Sequence, residues 1–171
     1  MNVELRKASF EERSIVQKMM ELYLHDFSEF DGCDLDQYGL YSYYDLDYYF
    51  IEETHACYVV QVEGKWAGLA LIANYGHFEG NQRSMEEFFI LRKYRKQGLG
   101  EKIASDIFRL HPARWEVEVQ ACNPLAQQFW RKTIGNFTGG AMREVMLNNE
   151  KWHGPVFCFD NSVAEEKHEQ Q

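Results

Sequence analysis

The sequence predicts a mixed α/β fold, a sheet with helices against it, and three stretches carry that prediction. Over residues 85–110 an apolar strand-like run (Phe88, Phe89, Ile90, Leu91) leads through a basic, glycine-containing turn into a helix. That helix keeps Leu99, Ile103 and Ile107 on one side, flanked by Ala104 and Phe108. Residues 114–120, Arg-Trp-Glu-Val-Glu-Val-Gln, alternate with period two, and a second helix opens directly after them. Two further apolar runs, 55–62 and 66–73, flank Glu63-Gly64-Lys65 and read as a β-hairpin.

Taken in order, residues 3–7 alternate as a short strand, and Ser9-Phe-Glu-Glu12 offers a capping box for a helix running to about Phe27. Ile15, Met19, Leu22 and Tyr23, with Val16 and Met20, form its apolar stripe. A loop over 31–39 and a weak helix over about 43–53 precede the hairpin. A longer loop, 74–82, carries Gly76, His77 and Gly80; a lone loop histidine is read as solvated. After the 114–120 strand, Asn123 serves as N-cap and Pro124 fills the first turn of the next helix. Residues 138–147 and 152–159 read as a closing strand pair. The element order is β-α-(α)-β-β-β-α-β-α-β-β.

Composition narrows the function. With 171 residues, 45% hydrophobic and 15% aromatic, the chain can bury one core without disulfides or metal. We expect a single domain over 1–161 and a polar, frayed tail over 162–171. Cys33, Cys57, Cys122 and Cys158 are dispersed, with no Cys-x-x-Cys and no histidine at metal spacing, so reduced, mostly packed thiols and no metal are expected. No apolar run reaches about twenty residues and no signal-type segment opens the sequence, which predicts a soluble, cytoplasmic protein without membrane association. A net charge of −9 argues against nucleic acid and favours a cationic partner. Residues 19–63 contain no Lys or Arg, while Asp26, Glu29, Asp31, Asp34, Asp36, Asp45, Asp47, Glu52 and Glu53 accumulate among tyrosines. That segment reads either as a solvated acidic surface or as an electronegative, aromatic mouth for an ammonium group.

The turn between strand and helix carries the chemistry. Arg95, Lys96, Gly98 and Gly100 stand where a new helix offers unpaired N–H groups, and glycine lets an anion approach the backbone. A dinucleotide fingerprint would want glycine where Ile103 stands, and a P-loop would want Gly-Lys-Ser/Thr, so both are disfavoured. Arg95-Lys-Gln-Gly98-Leu-Gly100 instead resembles the pyrophosphate-binding Arg/Gln-x-x-Gly-x-Gly/Ala motif of the GCN5-related N-acetyltransferase (GNAT) superfamily. Asn123, Ala126, Phe129 and Lys132 match that superfamily's second signature, Asn-x-x-Ala-x-x-Phe-Tyr-x-Lys, and the likeness spans residues 3–159.

The resemblance implies a central, mostly antiparallel sheet flanked by helices, and acetyl-CoA as cosubstrate. It implies that Arg95, Lys96, Gln97, Gly98, Leu99, Gly100 and Glu101 cradle the diphosphate, with Arg92 and Lys93 nearby. Asn123 would bond the pantetheine arm or nearby backbone, with Phe129 beside it, and the main-chain N–H of Ile90 or Leu91 would polarise the thioester. The sequence departs from the pattern in two places. Trp130 stands where a tyrosine often protonates the departing thiolate, and Asn136 stands where an aromatic often follows the glycine. A thiol of pKa about 8.5 is a fair leaving group without full proton transfer, and a tyrosine of the acidic segment is a candidate acid. Glu86 and Glu87 open the strand into the turn; alternation lets only one face a cleft, and Glu87 is the closer to the motif. The expected reaction is acetyl transfer to a primary amine of a small cationic substrate, by direct attack with a glutamate base. The alternatives are a non-catalytic acyl-CoA-binding module and an acetyltransferase for protein N-termini or lysines. The chain is expected to act as a monomer or homodimer.

Overall fold

The computed structural model describes residues 2–41, 43 and 46–162. Asp45, and residues 163–171 of the expected tail, lie outside the described residues. Seven strands, β1 (Val3–Lys7), β2 (Ala56–Val62), β3 (Lys65–Ala73), β4 (Arg83–Ile90), β5 (Arg114–Glu118), β6 (Arg143–Asn148) and β7 (His153–Asp160), run in the order β1-β2-β3-β4-β5-β7-β6. The helices are α1 (Arg13–Asp31), α2 (Tyr48–Ile51), α3 (Leu99–Leu110) and α4 (Pro124–Thr138). Neighbouring strands pair antiparallel in β1/β2, β2/β3, β5/β7 and β6/β7, and parallel in β4/β5. The mixed, mostly antiparallel sheet and the element order are those the sequence predicts.

The chain divides into two compact units, one of Met1–Ala73 with Glu87–Arg95 and the other of Asn74–Glu86 with Lys96–Gln171. In the first, Ser9 and Glu12 close the predicted capping box around a 3-10 turn over Phe10–Glu12, which leads into α1. The Ser9 N–H donates to Glu12 Oε2 at 2.9 Å, and Arg6 grips the same carboxylate with bonds of 2.7 and 2.6 Å. The two bonds from Arg6 hold the Glu12 carboxyl down at a pKa of about 2. Val16, Met19 and Met20 of α1 pack with Val59, Leu69, Leu71 and Phe89 into one apolar core. The helix runs one turn past its expected end, to a cap at Gly32.

The predicted 43–53 helix shrinks to the four residues of α2. Tyrosine and aspartate are poor helix formers, and a single turn gains too few hydrogen bonds to offset nucleation.

In the second unit, α3 buries Leu99, Ile103, Ala104, Ile107 and Phe108. The Phe108 ring meets Trp115 at 5.0 Å and Phe159 at 4.8 Å. Trp130 of α4 is 6% exposed and sits against Phe129 at 4.9 Å and Phe108 at 6.3 Å, a core aromatic in this unit. The strand expected over 138–147 begins only at Arg143, because Thr138 completes α4 with Oγ1 donating to the Ile134 carbonyl, and Gly139 caps it. Cys57 and Cys158 are buried thiols, whereas Cys33 and Cys122 are exposed, so half of the set is packed. No helix among the described residues is long and apolar enough to cross a membrane.

Candidate active site

β4 leads into a 3-10 turn over Arg92–Tyr94 and then into the glycine loop. Lys96 is left-handed at φ 61°, a strained choice for a lysine. Gly98 follows at φ 77° as the N-cap of α3, and a Cβ there would meet nothing within 4 Å, so an approach to its backbone is open. The first-turn amides of Leu99, Gly100 and Glu101 have no intrahelical acceptor by helix geometry, and they carry the positive end of the helix dipole. In the same unit Asn136 Nδ2 donates to Glu101 Oε1 at 2.7 Å and Lys132 Nζ approaches Glu101 Oε2 at 3.2 Å, which draws this carboxyl below its ordinary range.

The arginines ahead of the glycines have other partners. Arg95 Nε donates to the Ile90 carbonyl at 2.6 Å and its other arm to Asp26 Oδ2 at 2.6 Å, while Arg92 reaches Asp26 Oδ1 at 2.7 Å. Partial burial raises the Asp26 carboxyl, but the bonds from both arginines outweigh it and the net shift is downward. The Leu91 N–H donates to the Ala67 carbonyl at 2.8 Å. That engages the Leu91 amide, one of the two named for the thioester.

Strand alternation separates the two glutamates of β4. Glu87 shares a face with Phe89, whose ring lies 5.6 Å from Tyr23 of α1. Burial first, and then the Glu87 charge and hydrogen bond, push the Tyr23 phenol well above its usual range. Glu86 points the other way, with Ser84. Its Oε1 is buried and has no hydrogen-bond partner among the described residues, and the same holds for Ser84 Oγ, on a residue 1% exposed.

Around Glu86, in the second unit, the sequence reading missed a cluster. Ser84 pairs in parallel register with Glu116; by alternation Glu86 lies on the Ser84 face of β4 and Glu118 on the Glu116 face of β5. Glu116, 1% exposed, accepts from the backbone N–H of His77 at 2.6 Å, from that of Phe78 at 2.8 Å and from the Asn81 side-chain amide. A carboxylate so deep in a sheet is tolerated because three donors replace its water. Gly76 makes the clamp possible, since a Cβ there would stand 2.8 Å from Glu116 Oε1.

The clamped loop delivers His77, whose Nε2 lies 2.6 Å from Glu118 Oε2, with the two side chains 7% and 13% exposed. The expectation of a solvated His77 is therefore overturned. The reason is tertiary, because its carboxylate partners come from a strand about forty residues on. Tyr75 meets His77 edge-on at 5.8 Å and Trp152 lies tilted against it at 6.0 Å, and Trp152 Nε1 is a further buried donor without a partner among the described residues. Burial raises the Glu118 carboxyl above its ordinary range; the His77 bond opposes this, and the charges of Glu86 and Glu116 add to it.

Asn123 Oδ1 accepts from the Ala126 N–H at 3.0 Å, so its side chain is the N-cap the sequence predicts for α4. Phe129 is half-buried on the same helix. Part of the acidic segment is engaged in structure: besides Asp26, Asp47 pairs with Arg13, Asp36 Oδ1 accepts from the N–H groups of Tyr38 and Leu40, and Asp31 accepts from Cys33. Arg13 and Asp47 also line a groove of about 370 Å³ with Tyr43 and Tyr48, so this groove is of mixed charge.

Comparison with known proteins places this arrangement. The chain resembles in fold the crystal structure of an acetyltransferase from Thermus thermophilus, with 15% identity, a TM-score of 0.67, and coverage of 94% of this chain and 97% of that one. It is likewise similar to AAC(6')-Ib in complex with ribostamycin and coenzyme A, at 12% identity and a TM-score of 0.66 with all of both chains covered. A third likeness is to the paiA N-acetyltransferase from Thermoplasma acidophilum in complex with coenzyme A, at 10% identity and a TM-score of 0.60, covering 94% of this chain and 99% of that one. A search of curated protein sequences finds no match. The sequence model of the acetyltransferase (GNAT) family matches residues 16–135, and the chain belongs to that family.

Proposed function

We propose that this protein transfers the acetyl group of acetyl-CoA to a primary amine of a small cationic substrate by direct attack. The observation that carries the reading is the junction ahead of α3, where left-handed Gly98 opens a helix whose first-turn amides point to an anion, in a chain of this family. The diphosphate falls to the amides of Leu99, Gly100 and Glu101, with Lys96 and Gln97 beside them. Arg95 and Arg92 pair with Asp26 through part of each guanidinium and add positive charge ahead of the loop. Asn123 and Phe129 are the residues we assign to the pantetheine arm, and the Ile90 amide to the thioester carbonyl.

For the acceptor we assign Glu86 as the base rather than Glu87. A carboxylate oxygen buried without a partner holds capacity for an ammonium hydrogen, whereas Glu87 is occupied with Tyr23. Acetylation needs a neutral nitrogen, so the site must first take a proton from the ammonium. The cationic class is supported by the negative charge around Glu86 and by the aminoglycosides named with AAC(6')-Ib, a fold relative.

Purified protein with acetyl-CoA, screened against aminoglycosides, polyamines, amino acids and peptides for thiol release, tests the proposal. At least one small polyamine or aminoglycoside should raise turnover well above hydrolysis. Turnover only with peptides would redirect the assignment to protein amines, and tight acetyl-CoA binding with no turnover would indicate the non-catalytic module.

A further inference from the structure

We propose that Glu86 and Glu118 work as a carboxylate pair sharing the proton removed from the acceptor ammonium, with His77 as the positioning residue that holds Glu118 in the pair. The inference rests on the acetyl transfer proposed above and deepens it at the same site.

Three observations converge. Ser84 pairs with Glu116 where β4 and β5 run parallel, Glu86 and Glu118 follow them by two residues on the same face of each strand, and the Glu86 charge acts on Glu118. The unpartnered, buried Glu86 Oε1 and Ser84 Oγ, with the unpartnered Trp152 Nε1 on a ring tilted against His77, leave two acceptors and a donor that the described residues do not use. The third is construction: Glu116 clamps the 76–81 loop by three donors, and that loop carries His77 to within 2.6 Å of Glu118. An ionised carboxylate only accepts, so the imidazole N–H donates to it and fixes its rotamer.

The chemistry follows. An N–H bond of the ammonium breaks as an O–H bond forms on Glu86, and the proton is shared with Glu118, since the negative charge of each carboxylate favours protonation of the other. The freed lone pair attacks the thioester carbonyl, the C–N bond forms and the C–S bond breaks. The second N–H proton goes to the departing sulfur, and the shared proton leaves to water with the product. The groups facing Glu118 are His77 and Tyr75 from the 74–82 loop, Glu86 from β4 and Glu116 from β5 itself; its register partner on β7 is the non-ionisable Val156.

The test is the pH profile of kcat/KM for a strongly basic amine and for a weakly basic one already neutral at the assay pH, in the full-length protein. His77→Ala removes the bond that favours ionised Glu118, so the pair holds its proton more tightly and the acid limb moves to higher pH. Glu118→Gln removes the second negative charge and moves the limb to lower pH. Each variant should lose about ten- to a hundredfold with the basic amine and much less with the weak one. His77→Gln keeps a donor and should return the limb toward wild type, which guards against misfolding of the alanine variant. Equal losses with both amines and unmoved limbs would overturn the pair while leaving the acetyltransferase reading intact. A wild-type protein that acetylates no amine would remove both.

Discussion

Two acidic regions of this protein differ in how their charge is used. Residues 19–63 hold the conspicuous negative charge, yet there Asp26 is held by Arg92 and Arg95, Asp47 pairs with Arg13 and Asp36 closes a turn. The β4–β5 strands have an ordinary composition, yet they hold Glu116 and Glu118 almost out of water and leave one buried oxygen of the half-exposed Glu86 without a partner among the described residues. Charge density along a sequence measures solvation, and chemistry at a site needs charge that is buried and incompletely satisfied.

The largest expected effect sharpens that contrast. Glu86→Gln should lower kcat/KM by about 10²–10⁴-fold, because the amide can no longer take a proton from the acceptor. A larger loss of turnover from Asp36→Asn than from Glu86→Gln would reverse the comparison. Next in size is the clamp. Glu116→Ala leaves three N–H donors of the loop unpaired and should cost about 2–4 kcal/mol in urea unfolding. Gly76→Val should approach that cost by driving a side chain into the same carboxylate. Retention of wild-type stability in both would show that the loop is held some other way.

The smallest effect is electrostatic and differs in sign between the regions. The Asp26 carboxyl sits below its ordinary value, so it stabilises the fold above the unfolded pKa, near 3.9, and loses that contribution as pH falls through its folded value. Asp26→Asn should therefore cost about 1 kcal/mol at pH 7, modest because Arg92 is largely exposed, and nothing at strongly acid pH. Glu118 sits above its ordinary value, so its ionisation weakens the fold and its contribution improves as pH falls through the folded pKa. The stability difference between Glu118→Gln and wild type should thus be most favourable to the variant near neutral pH and shrink on acidification. Thermal melts across pH that moved both variants in the same sense would contradict the distinction.

Much of this was legible in the residues. Local rules placed the Ser9–Glu12 box, the end of α3 at Leu110 and the Asn123 N-cap, because capping and apolar periodicity act within a few residues. Alternation alone says that Glu86 and Glu87 diverge, but not which one meets a cleft. Proximity to the glycine motif favoured Glu87, and Tyr23, sixty-four residues away, engages it. The length of α2 was misjudged because one weak turn depends on what it packs against. His77 was misread for the same reason, although Glu116 and Glu118 alternating on a strand already offered two inward carboxylates in need of donors.

The sequence by itself determined the order of elements, the mixed sheet, the glycine loop and the family, since each depends on patterns that repeat over two to four residues or on a contiguous motif. Only the tertiary structure decided which carboxylates are buried and which are paired. Both depend on groups brought together from loop, strand and helix, and a carboxylate's solvation has no local signature in the chain.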